Sequence, residues 1–203
     1  MGNHEPELKA FYDRQAPERD RRGTDPRRDA ARQEFIASLV AARRHSVLEI
    51  GCGTGTDGLA FKAAGIHYTG VDLSEQNVRL ARAKHLEAVV GSARELPFAG
   101  GTFSAGWTMS TLLHIPDQDL PDVLAETMRV LASGAPLAVG LWSGDDEEGI
   151  VADDDFEPRR FYSRRSDATV RRLFGEHGLI SGFTTWERPE FGRHYQFFIL
   201  TKP

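Results

Sequence analysis

The chain has 203 residues, 40% of them hydrophobic and 27% charged, with a formal net charge of −5. That is one domain's worth of chain with enough apolar content to bury a core, no apolar run is long enough to span a bilayer, and the acidic balance argues against broad affinity for nucleic acid or anionic membrane. A single cysteine, Cys52, excludes an intrachain disulfide and any multi-cysteine metal cage.

The first ten residues lack the basic-then-apolar pattern of a secretory signal, so a cytoplasmic location is the expectation. The first 45 residues are polar and arginine-rich, and Pro6, Pro17 and Pro26 are expected to break them into short helical pieces. From about residue 25 an apolar pattern through Ala31, Phe35, Ile36, Leu39 and Val40 predicts a helix. Residues 46–50 form a short apolar run that stops at Gly51, the mark of a buried strand. A helix over 56–64 ends on Gly65, and a second strand over 67–71 is closed by Asp72. Ser74 then caps a helix with Glu75 in its first turn.

Short strands follow at 88–90 and 103–109, and a helix over 120–131 carries the stripe Val123, Leu124, Thr127, Val130 and Leu131. A strand at 135–142 leads into a long polar connection, 143–165, and a helix over 168–177. Strands at 179–186 and 194–201, turning near Pro189 and Gly192, read as an antiparallel pair. The alternation implies an α/β fold: a mostly parallel sheet with helices on both faces, in one domain covering 1–203. Within it, 1–45 reads as a helical cap, 46–142 as a cofactor-binding core, 143–165 as an insertion and 166–203 as a closing helix and strand pair. Ligands of such sheets sit outside the carboxyl ends of the strands, which gathers Gly51, Asp72, Ser92 and Met109 around one crevice.

The run Glu49-Ile-Gly51-Cys-Gly53-Thr-Gly55 follows a strand and opens a helix. Its glycines let the backbone lie against a ligand, and the helix N-terminus behind them favours an anionic group. Gly53-x-Gly55-x-x-Gly58 formally matches a dinucleotide fingerprint, which keeps a nicotinamide-dependent oxidoreductase as the alternative. That register starts two residues after the strand ends, and Glu49 would stand beside a pyrophosphate. No Lys-Ser or Lys-Thr pair completes an NTPase loop. A cofactor with an ammonium, a carboxylate and a sulfonium but no phosphate fits better. Glu49 can orient loop N–H groups or the ammonium, and Asp72 can accept from both ribose hydroxyls.

Residues 47–55 (VLEIGCGTG), 70–74 (GVDLS) and 91–98 (GSARELPF) resemble the class I S-adenosylmethionine-dependent methyltransferases, most closely the small-molecule branch. The resemblance implies a Rossmann-like seven-stranded sheet of order 3-2-1-4-5-7-6 with strand 7 antiparallel. It implies S-adenosylmethionine as cofactor, S-adenosylhomocysteine as product, and methyl transfer to oxygen or nitrogen of a small-molecule acceptor. Gly51, Cys52, Gly53 and Gly55 would line the methionine moiety, Asp72 would hold the ribose and Leu73 would pack on adenine. Ser92 and Ala93 would face the adenine edge, and residues 108–110, Met109 among them, would close the floor beside the sulfonium. The family usually has Asp where this chain has Ser92, and Phe-Asp where it has Phe103-Ser104. Those departures keep open a binding protein that has lost catalysis.

A general base is needed only when the nucleophile arrives protonated. His114, just past the fourth strand, is the candidate base, or else a histidine that fixes its loop by bonding to backbone. Tyr12 either covers the cofactor or substrate or docks its helix on the core, and Cys52 reads as a small packing residue. No spacing of His, Asp and Glu suggests a metal site. The fourth strand ends in Thr-Met-Ser-Thr, which does not resemble the motif of nucleic-acid amine methylation.

Residues 145–157 hold eight acids, and 159–172 hold Arg159, Arg160, Arg164, Arg165, Arg171 and Arg172. One reading is a lid in which Trp142, Phe161 and Tyr162 form the acceptor pocket and an arginine reads an anionic group. The other is a solvated loop whose acids and arginines pair with each other. Oligomeric state is not legible.

Overall fold

A computed structural model describes residues 4–150, 157–188 and 192–203. Its elements run α1 (Glu5–Arg19), α2 (Pro26–Ala41), β1 (Ser46–Ile50), α3 (Thr56–Ala63), β2 (His67–Asp72), α4 (Glu75–Ala83), β3 (Glu87–Val90) and β4 (Ala105–Met109). Then come α5 (Leu120–Val130), β5 (Pro136–Trp142), β6 (Glu147–Ile150), β7 (Phe161–Arg164), α6 (Asp167–Gly175), β8 (Leu179–Arg188) and β9 (Arg193–Thr201).

Seven strands form one sheet in the order β3-β2-β1-β4-β5-β9-β8. Neighbours from β3 to β5 are parallel, and β9 runs antiparallel to both β5 and β8. Numbered without the small hairpin β6–β7, this is the expected 3-2-1-4-5-7-6 with its reversed strand. The central strands are buried on both faces, which is why β1 and β4 are nearly continuous apolar runs. One face packs Leu48, Ile50 and Val139 against α5 and α6. The other packs Val47 and Trp107 against Phe35, Leu39 and Phe61 of α2 and α3.

Local chemistry sets the helix ends. Asp25 caps α2 through Arg27 N–H (2.8 Å), with Pro26 at the first helical position. Ser74 caps α4 through Asn77 N–H (3.0 Å), and Ser166 caps α6 through Thr169 N–H (3.2 Å). Two expectations need correction. The N-terminal segment is not broken at Pro17: α1 is a 15-residue helix, with Pro6 in its first turn and Pro17 near its end. A proline there costs one hydrogen bond at a terminus that frays anyway. Asp13 of α1 also accepts from Ser74 Oγ (2.7 Å) and Gln76 N–H (3.1 Å), tying the helix to the start of α4.

The connection 143–165 is not all loop, because β6 and β7 pair antiparallel, Glu147 opposite Arg164 and Ile150 opposite Phe161. Of its charges, Glu147 meets Arg164 (3.4 Å) and Arg193 (3.9 Å), while Arg165 turns inward to Asp117 (2.6 Å). Acids 153–155 and the turn at Pro189 lie outside the described residues. Ser104, the departure after Phe103, has a local purpose. Its hydroxyl accepts from Ser46 N–H (3.0 Å) and donates to Ser46 C=O (2.9 Å), stitching the start of β1 to β4.

Candidate active site

The carboxyl ends of β1, β2 and β4 open onto two adjoining chambers. At the end of β1 the chain turns at Gly51, whose N–H donates to Val71 C=O (2.8 Å). Gly51 has φ +74°, and a Cβ there would meet Thr111 Oγ1 at 2.0 Å. Loop and β4 exit thus touch, which only a glycine allows. Gly55, also left-handed, is the N-cap of α3.

The first chamber, about 850 Å³ with its mouth, is lined by Gly51, Gly53, Asp72, Leu73, Asn77 and Ala93 from the core and by Leu8 and Tyr12 from α1. The second, about 1290 Å³ with its mouth, is lined by Cys52, Gly53, Trp142, Tyr162, Trp186 and Tyr195. Gly51, Gly53, Met109, Ser110, His114, Tyr12 and Arg19 border both. Ser110 sits in the left-handed region (φ 56°) immediately after β4. Its hydroxyl and that of Tyr195 are 3.0 Å apart, and its N–H donates to Gly140 C=O (2.8 Å).

Asp72 ends β2 almost fully buried. Burial raises its pKa, and hydrogen bonds from Ser74 N–H (2.9 Å) and Gly53 N–H (2.8 Å) offset part of that rise. Asn77 Nδ2 also donates to it (3.2 Å), which leaves Asn77 Oδ1 buried with no hydrogen-bond partner among the described residues. A carboxylate has roughly four acceptor sites and three of Asp72's are taken. The fourth, together with Asn77 Oδ1, matches the two donors of a vicinal diol. Leu8, Ile50, Val71, Leu73, Ala93 and Ile115 give the same chamber an apolar slot of the kind a planar base needs. The donor set therefore fits an adenosine.

His114 ends a 3-10 turn at Leu112–His114. Its Nδ1 lies 2.8 Å from Phe161 C=O, and a carbonyl only accepts, so Nδ1 carries the proton. Nε2 faces Tyr12 Oη at 2.8 Å, and in the neutral ring it is the nitrogen that keeps the lone pair. Burial raises the Tyr12 pKa, with Arg19 offsetting part of it, so the phenol stays protonated and donates to Nε2 when the ring is neutral. One nitrogen thus bonds backbone, and the other faces Tyr12 at the edge of the cavity. The turn itself is held by Arg165, buried, which donates to Leu112 C=O (3.2 Å) and Ile115 C=O (2.7 Å).

Other candidates fall in different places. Leu73, Ala93, Met109, Trp142 and Tyr162 border the chambers. Phe161 contributes its carbonyl, while its ring stacks on His4 (4.6 Å). Ser92 Oγ donates to Glu5 of α1 (2.5 Å), so a carboxylate does stand at that turn, supplied by the N-terminal helix. Glu49 lies under the loop, 1% exposed, and accepts from Tyr68 Oη (2.6 Å). Burial and the neighbouring Asp57 push its pKa well above the usual carboxylate range. Cys52 is buried with its thiol pKa raised by burial, and its Sγ lies 3.5 Å from Gly53 C=O. Gly58 packs inside α3 against Tyr68.

The sign of the Glu49 shift makes a prediction. A carboxyl whose folded pKa is raised stabilises the fold below its unfolded value near 4 and loses that contribution as pH rises through the folded value. Glu49→Gln keeps an acceptor for Tyr68 without the charge. In urea unfolding at pH 5 and pH 8, the wild type is expected to lose more stability on going to pH 8 than the variant does. An equal loss in both would assign the slope to other groups.

Sequence reasoning missed Asn77, Arg19, Arg28, Trp186 and Tyr195. Arg28 binds Asp57 of α3 through Nε (3.1 Å) and Nη2, and Asp57, fully buried, also takes Arg32 Nη1 (2.5 Å) and Trp107 Nε1 (2.8 Å). Burial lowers the Arg28 pKa but Asp57 more than offsets this, leaving it raised.

Residues 47–134 match the sequence model of a family described as "Methyltransferase domain". The chain is 28% identical over 116 residues to the O-methyltransferase rstn1 of Aspergillus nomiae, covering 53% of this chain and 51% of that one. It is 35% identical over 120 residues to norajmaline N-methyltransferase of Rauvolfia serpentina, covering 55% and 40%. The chain thus spans about half or less of the curated relatives it matches. Its fold superposes on magnesium protoporphyrin IX methyltransferase of Synechocystis, solved with bound S-adenosylhomocysteine, at TM-score 0.71, with 15% identity and 97% and 98% of the two chains covered. Strand order, glycine loop and sequence match converge on a Rossmann-like fold that carries a methyltransferase domain over residues 47–134 and is similar to the class I S-adenosylmethionine-dependent methyltransferases.

Proposed function

We propose that this protein transfers a methyl group from S-adenosylmethionine to an oxygen or nitrogen of a small-molecule acceptor, with His114 as general base when the acceptor arrives protonated. The observation that carries the reading is the position of His114, held at the wall the two chambers share by the Nδ1–Phe161 bond. When bound, S-adenosylmethionine supplies an electrophilic methyl on a sulfonium.

The rest belongs to the chain's own residues. Asp72 and Asn77 would hold the ribose diol, and the slot around Leu73 and Ala93 would take the adenine. The loop Gly51–Cys52–Gly53 and Met109 would border the methionine moiety. Tyr12 now donates to Nε2 at the position an acceptor hydroxyl would take, so Nε2 is poised to receive the proton such a hydroxyl sheds. Alignment in a water-poor cavity supplies most of the remaining rate. Relatives named for transfer to oxygen and to nitrogen support both acceptor atoms. Among the described residues no helix is long and apolar enough to cross a membrane, in keeping with a cytoplasmic enzyme.

The test is transfer of labelled methyl from S-adenosylmethionine to a panel of phenols and amines. Labelled product with the wild type supports the proposal. S-adenosylhomocysteine binding with no product from any acceptor would favour the binding-only alternative. Asp72→Ala is expected to weaken S-adenosylhomocysteine by about 10- to 100-fold, the worth of charged hydrogen bonds to a sugar diol. Unchanged affinity by calorimetry would move the ribose elsewhere.

A further inference from the structure

The second chamber has a lining that methyl transfer alone does not require. One wall is aromatic: Tyr195 stacks on Trp186 (centroids 5.2 Å, interplanar 10°) and meets Trp142 edge-on (5.2 Å). Beside that wall, within Coulombic reach of Tyr195, stands Arg28. Its Nε and Nη2 are committed to Asp57, whose carboxylate is fixed in turn by Arg32 and Trp107. Nη1 makes no hydrogen bond to any described residue. An arginine clamped on one edge with the other edge open is a pre-ordered, charged fork, and carboxylates fit such forks. The remaining charges of the chamber lean the same way. Arg19 borders both chambers and forms no ion pair among the described residues, and Arg160 lies over the rings of Phe11 (4.3 Å) and Tyr162 (5.2 Å). The two acids that line it among the described residues are occupied, Asp57 by Arg28, Arg32 and Trp107, and Asp25 by its cap on α2.

We propose that the second chamber receives a planar aromatic acceptor bearing a carboxylate, its ring against Trp142, Trp186 and Tyr195 and its carboxylate on the open edge of Arg28. The proposal rests on the methyltransferase reading above and narrows its acceptor class. Stacking sets the plane of the ring, the guanidinium sets its direction, and the end left over points to His114 Nε2. Arg28 borders the second chamber beside its aromatic wall, and that neighbourhood assigns its partner to the acceptor.

The experiment titrates hydroxybenzoate and hydroxycinnamate, and their neutral amides, into protein saturated with S-adenosylhomocysteine, read by tryptophan fluorescence. Each acid is expected to bind at least about tenfold more tightly than its amide, the scale of a charge-assisted pair. In Arg28→Gln the gap should shrink to about threefold or less, with S-adenosylhomocysteine affinity retained. Arg28→Lys keeps a charge against Asp57 but offers no second edge, so it should narrow the gap as well, which decides the matter if the glutamine variant does not fold. Amides binding as tightly as acids, binding of none of the probes, or a gap that survives both variants would overturn the proposal. Loss of S-adenosylhomocysteine affinity in Arg28→Gln with the acid preference intact would overturn it too, by giving Arg28 to the cofactor. If the wild type does not bind S-adenosylhomocysteine at all, the methyltransferase reading fails first and this one falls with it. Saturable cofactor-product binding without acid preference overturns this one alone.

Discussion

Asp57→Ala is expected to destabilise the protein by about 3–5 kcal/mol, because it leaves two arginines and an indole N–H without the buried acceptor they share. The Asp57 side chain has no exposed surface, and it joins α2, α3 and β4 at one point. Burial alone would raise its pKa, but Arg28, Trp107 and Arg32 more than offset that and hold it below the ordinary carboxylate value. The sign follows: a depressed folded pKa stabilises above the unfolded value near 4 and is lost as pH falls through the folded value. Stability should therefore fall more steeply on the acid side in wild type than the other carboxylates alone would give, and Asp57→Ala should flatten that limb. Urea unfolding at neutral pH, repeated across the acid range, checks both parts. A loss under about 1 kcal/mol would mean that Arg28 and Arg32 find water once Asp57 is gone.

The second large effect belongs to His114. His114→Ala is expected to lower kcat for a hydroxyl acceptor by about a hundredfold or more, the usual worth of a positioned base. S-adenosylhomocysteine affinity should stay within about threefold, because the imidazole is offered to the acceptor. Full turnover in the variant would reduce His114 to its other bond, the one that holds Phe161. Tyr12→Phe separates the two roles further. It removes the hydroxyl on Nε2 while leaving Nδ1 tied, so it should leave kcat largely intact if Tyr12 only occupies the acceptor's place.

The sheet was legible because its signals are local. Apolar runs ending on Gly51 and Asp72, and serines or aspartates ahead of helices, are set by backbone chemistry within a few residues. Pro17 misled because a proline's cost depends on how far it lies from the helix end, which the spacing alone does not reveal. The β6–β7 hairpin was hidden in charge: Glu147 and Arg164 read as members of a loop whose charges pair, and they pair across two strands.

The candidate site divides along the same line. Asp72, Leu73 and Met109 border the cavity because strand ends put them there. Asn77 was invisible because it reaches Asp72 from the first turn of α4, one helical turn beyond the cap that gave that helix away. Arg28 was one arginine among many in a basic segment. What distinguishes it is Asp57, 29 residues on, and no periodicity connects the two. Ser92 stands where the family usually has Asp, and the carboxylate beside it comes from Glu5, 87 positions away. The whole-chain charge of −5 says as little about the second chamber, whose lining places arginines against an aromatic wall.

Calorimetric titration of the wild-type protein with S-adenosylhomocysteine and, separately, with NAD tests the central claim most directly. The account predicts saturable one-to-one binding of S-adenosylhomocysteine and none of NAD. Binding of NAD with no heat from S-adenosylhomocysteine would contradict it.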